Sequence, residues 1–512
     1  LKVRKGLKSV AFHTLGCKVN AYETEAMQKE LADAGYEIRS FGDTADVYVV
    51  NTCSVTNIAD RKSRQMLHRA KALNPDAVVV AAGCYAQGAK DTLKEDLAVD
   101  IILGNHEKRD IARVLAEYFD GGSTPEVAEI GGVRDYDEFS TGGSTDHTRA
   151  FLKIQDGCNQ FCSYCIIPYV RGRVRSRRPE EILLEAERFA EKGYREIVLT
   201  GIHLSSYGID FRAPADAADD APRGGDYLGA DGVADAFSGI AGGTVLPGTG
   251  ADAFSGSAGE AVLPGTGAGE IVLPGAGRNG IRGLGGVLRM LDHVPGIERI
   301  RIGSLEPRLI TDGFVEMLSG LSHICPHFHL SLQSGSDSVL KRMNRHYTTE
   351  EYARGVERLR AAFPDAALTT DVICGFPGET EEEFAESCAF VRETGFYEMH
   401  IFPYSVRKGT RAAAMPGQVT KAVKAERAAR LAVLEREMSR EFRERRIGCG
   451  DQILTEDIIT AGGKEWLAGN TKEYVKVGID PSLSAGNRLV KGTITGFLTD
   501  GIMKMDRIVE IS

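Results

Sequence analysis

Three cysteines lie close together in Cys158-Asn-Gln-Phe-Cys162-Ser-Tyr-Cys165, a C-x3-C-x2-C spacing. Three thiolates this close, with no fourth beside them, suit three irons of a [4Fe–4S] cluster. Such a cluster normally takes four cysteines, so one iron stays open for a substrate. A structural zinc knuckle would need a fourth ligand and a second C-x2-C pair. Cys17, Cys53 and Cys84 stand singly in FHTLGC, VVNTC and VAAGC, each just past an apolar run. Parallel strands end on a common edge, and ligands bind outside those carboxyl ends. Taken one at a time, each of these reads as a buried thiol; their repeated placement favours a second three-cysteine cluster. Cys325, Cys374, Cys388 and Cys449 show no pattern and read as ordinary thiols.

The elements that must position these residues form an α/β chain. Apolar runs at Val10–Leu15, Val47–Val50, Ala77–Ala82 and Ile101–Leu103 alternate with helical patterns over Tyr22–Ala34, Ala59–Leu73 and Arg109–Phe119. This predicts an N-terminal doubly wound parallel-sheet domain over residues 1–120, with 121–147 as a polar, Gly-rich linker. From Phe151 to Pro403 six strand–helix units predict a partial (β/α)6 barrel in a core of residues 148–446, with its chemistry at the strands' carboxyl ends. The charged pattern over 419–446 predicts a helix packed on that barrel. Short strands at Asp451–Ile459, Trp466–Ile479 and Arg488–Phe497 predict a small C-terminal β-barrel over 447–512.

Residues 211–286 fit neither pattern. They hold a tandem duplication, DAFSGIAGGTVLPGTGA at 235–251 and DAFSGSAGEAVLPGTGA at 252–268. Gly and Pro saturate it, which predicts a surface insertion rather than a stacked solenoid. The interval holds 20 of the chain's 59 glycines, and its 9 acidic and 4 basic residues carry half of the net charge of −10. The acidity excludes a protein that coats nucleic acid non-specifically. Outside the insertion, however, it is mild enough to allow an RNA substrate. No apolar run reaches the ~18–20 residues of a membrane span. The first ten residues lack the apolar stretch of a secretory signal. Both predict a cytoplasmic protein without a membrane partner, in which ten cysteines suit metals or buried thiols better than disulfides.

The C-x3-C-x2-C motif after a barrel strand resembles the radical S-adenosylmethionine enzymes. With Cys17, Cys53 and Cys84, the chain outside the insertion resembles the methylthiotransferases of that superfamily, whose C-terminal RNA-binding barrel is the TRAM domain. Within them, TLGCKVNAYETEAM (Thr14–Met27) and NTCSVTNIADRKSRQ (Asn51–Gln65) look like the branch acting on N6-threonylcarbamoyladenosine in tRNA. The isopentenyladenosine branch typically reads YGCQMN at the first cysteine, and the ribosomal-protein branch LGCPKN.

The resemblance implies two [4Fe–4S] clusters, an auxiliary one on Cys17, Cys53 and Cys84 and a radical one on Cys158, Cys162 and Cys165. It implies S-adenosylmethionine as both methyl donor and radical source. The reaction implied is methylthiolation of adenine carbon 2 at tRNA position 37, in the anticodon loop. An unactivated aromatic C–H explains the need for a radical, since no side-chain base could remove that proton. An electron donor such as flavodoxin or ferredoxin is also implied, while the sulfur donor stays open. Two rivals share the chemistry, with isopentenyladenosine or a ribosomal-protein aspartate as substrate; a third is a non-catalytic Fe–S RNA-binding redox sensor.

Gly201, Ser304, Glu306 and Gln333 end barrel strands and are candidates to touch S-adenosylmethionine. His203 reads as a local hydrogen-bonding residue rather than a metal ligand. Arg171, Arg173, Arg175, Arg177 and Arg178 form a basic run beside the radical motif and predict phosphate contacts. Lys472 and Lys476, with Trp466 and Tyr474, predict an RNA-facing surface on the small barrel.

Overall fold

The computed structural model describes residues 8–138, 141, 148–211 and 283–512, and these fall in one compact unit. The tandem duplication lies outside the described residues.

Five parallel strands open the chain: β1 (Ser9–Thr14), β2 (Glu37–Arg39), β3 (Val47–Thr52), β4 (Val78–Gly83) and β5 (Ile101–Leu103), in the order β2-β1-β3-β4-β5. Their apolar residues are buried on both faces. Val10, Val49 and Val80 enter one cluster with Met27, Leu31 and Leu115, while Ala11, Tyr48, Val50 and Val79 enter another with Leu67 and Ala70. Two-sided burial is why these strands read as unbroken apolar runs. The exposed edge strand β2 has no such run, and the sequence pattern misses it. Helix α1 (Lys18–Asp33) follows β1, α2 (Asn57–Leu73) follows β3 with Thr56 as its N-cap, and the short helix α3 (Cys84–Gly88) follows β4. The stretch after residue 120 is packed: Val127, Ile130 and Asp137 are buried, and Tyr136 donates to the Lys153 carbonyl at 3.0 Å.

The central sheet begins with β6 (Arg149–Asp156), which pairs antiparallel with the two-residue β7 (Arg175–Ser176) and parallel with β8 (Glu196–Gly201). Then come β9 (Arg299–Ile302), β10 (Ser304–Leu305), β11 (His327–Leu330), β12 (Ala367–Cys374) and β13 (Glu398–Pro403). The hydrogen-bonded orders are β7-β6-β8-β9 and β10-β11-β12-β13. The predicted strand Arg299–Ser304 is thus split at Gly303, and the chain passes from one sheet into the next through that residue. Among the described residues, a helix follows each parallel strand of this region except β9, which leads directly into β10. The helix Gly283–Leu291 starts inside the interval assigned to the insertion, so the insertion ends before residue 283.

The C-terminal strands β14 (Gly450–Ala461), β15 (Lys464–Asn470), β16 (Lys476–Ile479), β17 (Leu489–Thr499) and β18 (Ile502–Ile511) close into a barrel ordered β14-β15-β16-β18-β17. Ile453, Leu467, Val477, Val490, Ile494 and Met503 fill it. The expected single strand 466–479 is broken by a turn at 471–475, where Tyr474 has φ +72°. That turn is gripped by the central sheet. Arg299 donates to the carbonyls of Asn470 (2.8 Å) and Gln452 (2.7 Å), Arg301 to that of Lys472 (2.8 Å), and Arg149 to the Tyr474 hydroxyl (2.7 Å). No described helix is long and apolar enough to cross a membrane.

Candidate functional site

Cys158, Cys162 and Cys165 occupy the loop at the carboxyl end of β6. The loop doubles back tightly, with the Cys158 N–H donating to the Gly172 carbonyl at 3.0 Å. Gly157 permits this: its φ is +70°, and a Cβ there would lie 1.8 Å from the Arg173 carbonyl oxygen. The three sulfurs feel one another. Burial first, then the neighbouring cysteines, push the Cys158 thiol far up and the Cys165 thiol to about 12. Positive charge arriving with a ligand, as an iron cluster brings, would favour the thiolates of Cys158 and Cys165. Arg345 donates to the Cys162 sulfur at 3.3 Å and lies 3.6 Å from Glu306.

Cys17, Cys53 and Cys84 follow β1, β3 and β4, the three central strands of the first sheet. Neighbouring strands bring them together at one edge. Gly16, with φ +103°, passes so close to Cys53 that an added Cβ would sit 2.8 Å from its sulfur. Burial, then Cys84 and Cys17, raise the Cys53 thiol to about 11. Asn105 points its amide at the Cys84 sulfur, 3.6 Å away, and also donates to the Val170 carbonyl at 2.7 Å. Val170 ends the short helix Ile167–Val170 just after the other triad, and α3 packs on that helix. The two cysteine-bearing loops therefore meet.

Between the domains lies a buried charge network. Arg171 binds Glu23 (2.8 Å), Asp156 (3.0 Å) and Asn20 (2.6 Å); Lys153 binds Glu23 and Asp156, and Lys108 binds Glu23. Arg175 joins them, 3.9 Å from both Asp156 and Asp137, so four cations face three carboxylates, an excess of one positive charge where water is excluded. An uncompensated buried charge is costly, and Cys84 lies within Coulombic reach of both Arg171 and Lys108. Anionic ligand sulfurs and a cluster there would complete the balance. The residues present thus fit an iron–sulfur cluster at both triads.

The arginine run is corrected by this geometry. Arg171 and Arg175 are buried, and Arg177 is buried on Glu185 and Glu138. Their guanidiniums serve internal acids and carbonyls, not phosphates. Arg173 and Arg178 face outward, Arg173 stacked over Phe161 in the cysteine loop. On the small barrel Lys476 is exposed and Lys472 half-buried, whereas Tyr474 lies under Arg149 and Arg301 in the seat described above.

The strand-end candidates converge. Glu306 accepts from His203 at 2.7 Å, and the His203 N–H donates to Gln155 beside Gly201. Burial alone would push the Glu306 carboxyl up, but the His203 hydrogen bond and Arg345 outweigh it and hold it at about 2. Gln333, at φ +65°, exchanges backbone hydrogen bonds with Asp371 and Ile373. Ser304 is exposed and stands in register with His329. His329, Asp371 and His400 project from the same face of β11, β12 and β13, their donor atoms within 4.8 Å of one another. The opposite face, with Phe328, Leu330 and Leu368, is buried.

Arg345, Asn105, Glu23, Lys108, Lys153 and Asp156 were not singled out from the sequence. Their partners lie up to 183 residues away, and no spacing rule reaches so far.

Comparison with known proteins adds the following. Residues 9–104 match the family described as Uncharacterized protein family UPF0004, and residues 152–218 with 278–391 match the Radical SAM superfamily. The break in the second match falls within the interval read as an insertion. The threonylcarbamoyladenosine tRNA methylthiotransferase MtaB of Bacillus subtilis is 40% identical over 474 residues, 92% of this chain and 90% of that protein. The protein of the same name from Aquifex aeolicus is 36% identical, covering 88% and 95%. The tRNA-2-methylthio-N(6)-dimethylallyladenosine synthase of Pelotomaculum thermopropionicum is 30% identical, covering 96% of each chain.

Proposed function

The chain belongs to the tRNA methylthiotransferases of the radical S-adenosylmethionine superfamily, in the threonylcarbamoyladenosine branch, and on that premise we propose a role for each part of its site. The enzyme methylthiolates carbon 2 of N6-threonylcarbamoyladenosine at position 37 of tRNA, giving 2-methylthio-N6-threonylcarbamoyladenosine. The observation that carries this reading is 40% identity sustained over nine-tenths of both chains.

Cys158, Cys162 and Cys165 hold one [4Fe–4S] cluster with an open iron; Cys17, Cys53 and Cys84 hold a second. When bound, the clusters and S-adenosylmethionine supply the methyl group and a radical able to take hydrogen from an aromatic carbon. The chain's own residues bind, orient and exclude water. Glu306, kept anionic by His203 and Arg345, accepts hydrogen bonds from S-adenosylmethionine. Gly201 lets Leu204 and Gln155 pack closely at the end of β8, and Ser304 and Gln333 offer polar contacts. Arg345 steadies the Cys162 sulfur. Arg173, Arg178, Lys472 and Lys476 contact tRNA phosphates, and the five-stranded barrel acts as a TRAM-like RNA-binding module. A low-potential donor such as flavodoxin or ferredoxin supplies electrons.

Anaerobically reconstituted protein should bind about eight irons per chain. With reductant and S-adenosylmethionine it should release 5′-deoxyadenosine and convert tRNA carrying threonylcarbamoyladenosine to the methylthio nucleoside, read by mass spectrometry. Iron loading without 5′-deoxyadenosine would overturn the enzyme reading. Turnover of isopentenyladenosine alone would overturn the substrate.

A further inference from the structure

Lys18 follows Cys17 directly and opens α1. That helix packs against β6 and β8, so its first turn lies over the central strands. The Lys18 side chain is solvent-accessible, next to the exposed Cys17. Its charged neighbours are Arg149, Arg301 and Glu196, and each of these is already engaged. Arg301 binds Glu196 at 2.8 Å, while Arg149 binds Glu456 and Tyr474, both at 2.7 Å. Among the described residues Lys18 itself makes no hydrogen bond or ion pair. A lysine ammonium offers three donors, and here the nearby protein acid is taken. Lys18 is thus an accessible lysine with unspent donors, near Arg149 and Arg301 and beside a cysteine of the first triad.

The substrate supplies the matching group. On adenine, C2 and the N6 substituent flank N1 on a single edge of the ring. A residue that reads the substituent therefore belongs beside the place where C2 is modified. The threonylcarbamoyl substituent ends in a carboxylate, whereas an isopentenyl group carries no charge. We infer that Lys18 binds the threonyl carboxylate of the substrate nucleoside and thereby selects it over uncharged N6 substituents. The inference rests on the methylthiotransferase reading, but it can fail while that reading stands.

The test uses the reconstituted holoenzyme and two anticodon stem–loop RNAs, one carrying threonylcarbamoyladenosine and the other its carboxyl methyl ester. A hydrogen bond to a charged group sets the scale at roughly tenfold or more. Wild type should show a KM for the ester at least tenfold above that for the acid. K18Q should raise the KM for the acid by a similar factor and show nearly equal KM values for the two RNAs. K18R should recover most of the preference. Iron content and the cluster's electron paramagnetic resonance signature should match wild type in both variants. Equal KM values for acid and ester in wild type would overturn the inference whatever the variants do. A K18Q penalty shared equally by both RNAs would also overturn it, pointing to a phosphate contact or a packing role. If wild type modifies neither RNA, the parent reading fails instead.

Discussion

Arg171 and Arg173 stand two residues apart in one basic run, yet their chemistry differs completely. Arg171 completes the buried network around Glu23 and Asp156, while Arg173 reaches solvent over Phe161. Substituting Glu23 with Gln takes from Arg171, Lys108 and Lys153 a carboxylate that all three share. Breaking a buried ion network in this way typically costs about 3–5 kcal/mol, so E23Q should unfold in urea at a much lower concentration than wild type. R173A should stay within about 0.5 kcal/mol of wild type. Glu306 yields a pH prediction. Its folded carboxyl, at about 2, lies below its ordinary 4.5. The stability it contributes is complete above pH 4.5 and declines as pH falls toward 2. The urea-stability gap between wild type and E306Q, measured on the apoprotein, should therefore narrow by about 1 kcal/mol between pH 5.5 and 3.5. An unchanged gap would show that Glu306 is not held anionic in this way.

Elements turn such residues into a site. The β6 loop can fold its three cysteines inward only because Gly157 takes a positive φ against the Arg173 carbonyl. Gly157→Ala should force that loop open. The expected result is loss of about half the bound iron, from the C-x3-C-x2-C triad alone, measured by iron assay after reconstitution. Full iron occupancy in this variant would contradict the role given to the turn. On β11–β13 strand alternation does the sorting. Every second residue, including His329, Asp371 and His400, turns to one face, while Leu330 and Leu368 turn to the buried one.

At the scale of the whole molecule, the small barrel is fixed to the central sheet by arginine hydrogen bonds to the carbonyls of its 470–472 turn. This seat spends the guanidiniums of Arg299 and Arg301. Arg173, Arg178 and Lys476 stay exposed and Lys472 half-buried, the four cations proposed to contact RNA. Substituting Arg173 and Arg178 together with Ala should weaken tRNA binding and reduce the slope of log K against log salt by about one for each phosphate no longer neutralised. Identical salt titrations would remove both from the interface. The helix beginning at Gly283 sets the limits of a second experiment. Replacing 212–282 with a short linker should leave methylthiolation nearly intact, whereas a deletion running to 286 cuts into that helix.

The sequence by itself determined the chemistry. The C-x3-C-x2-C spacing is a local constraint that three metal-bound sulfurs must satisfy, and it can be read without a fold. The positions of the buried strands were legible for the same reason, because apolar runs such as Val47–Val50 and Ala77–Ala82 report burial along a single segment. Only the tertiary structure decided which charges work inside and which face solvent. Arg171 and Arg173 have the same side chain in the same run, and their difference comes from acids contributed by α1 and β6. It also decided that Cys17, Cys53 and Cys84 share an edge with Lys18 beside it. Proximity across many tens of residues is set by how strands pair, and spacing along the chain cannot encode that.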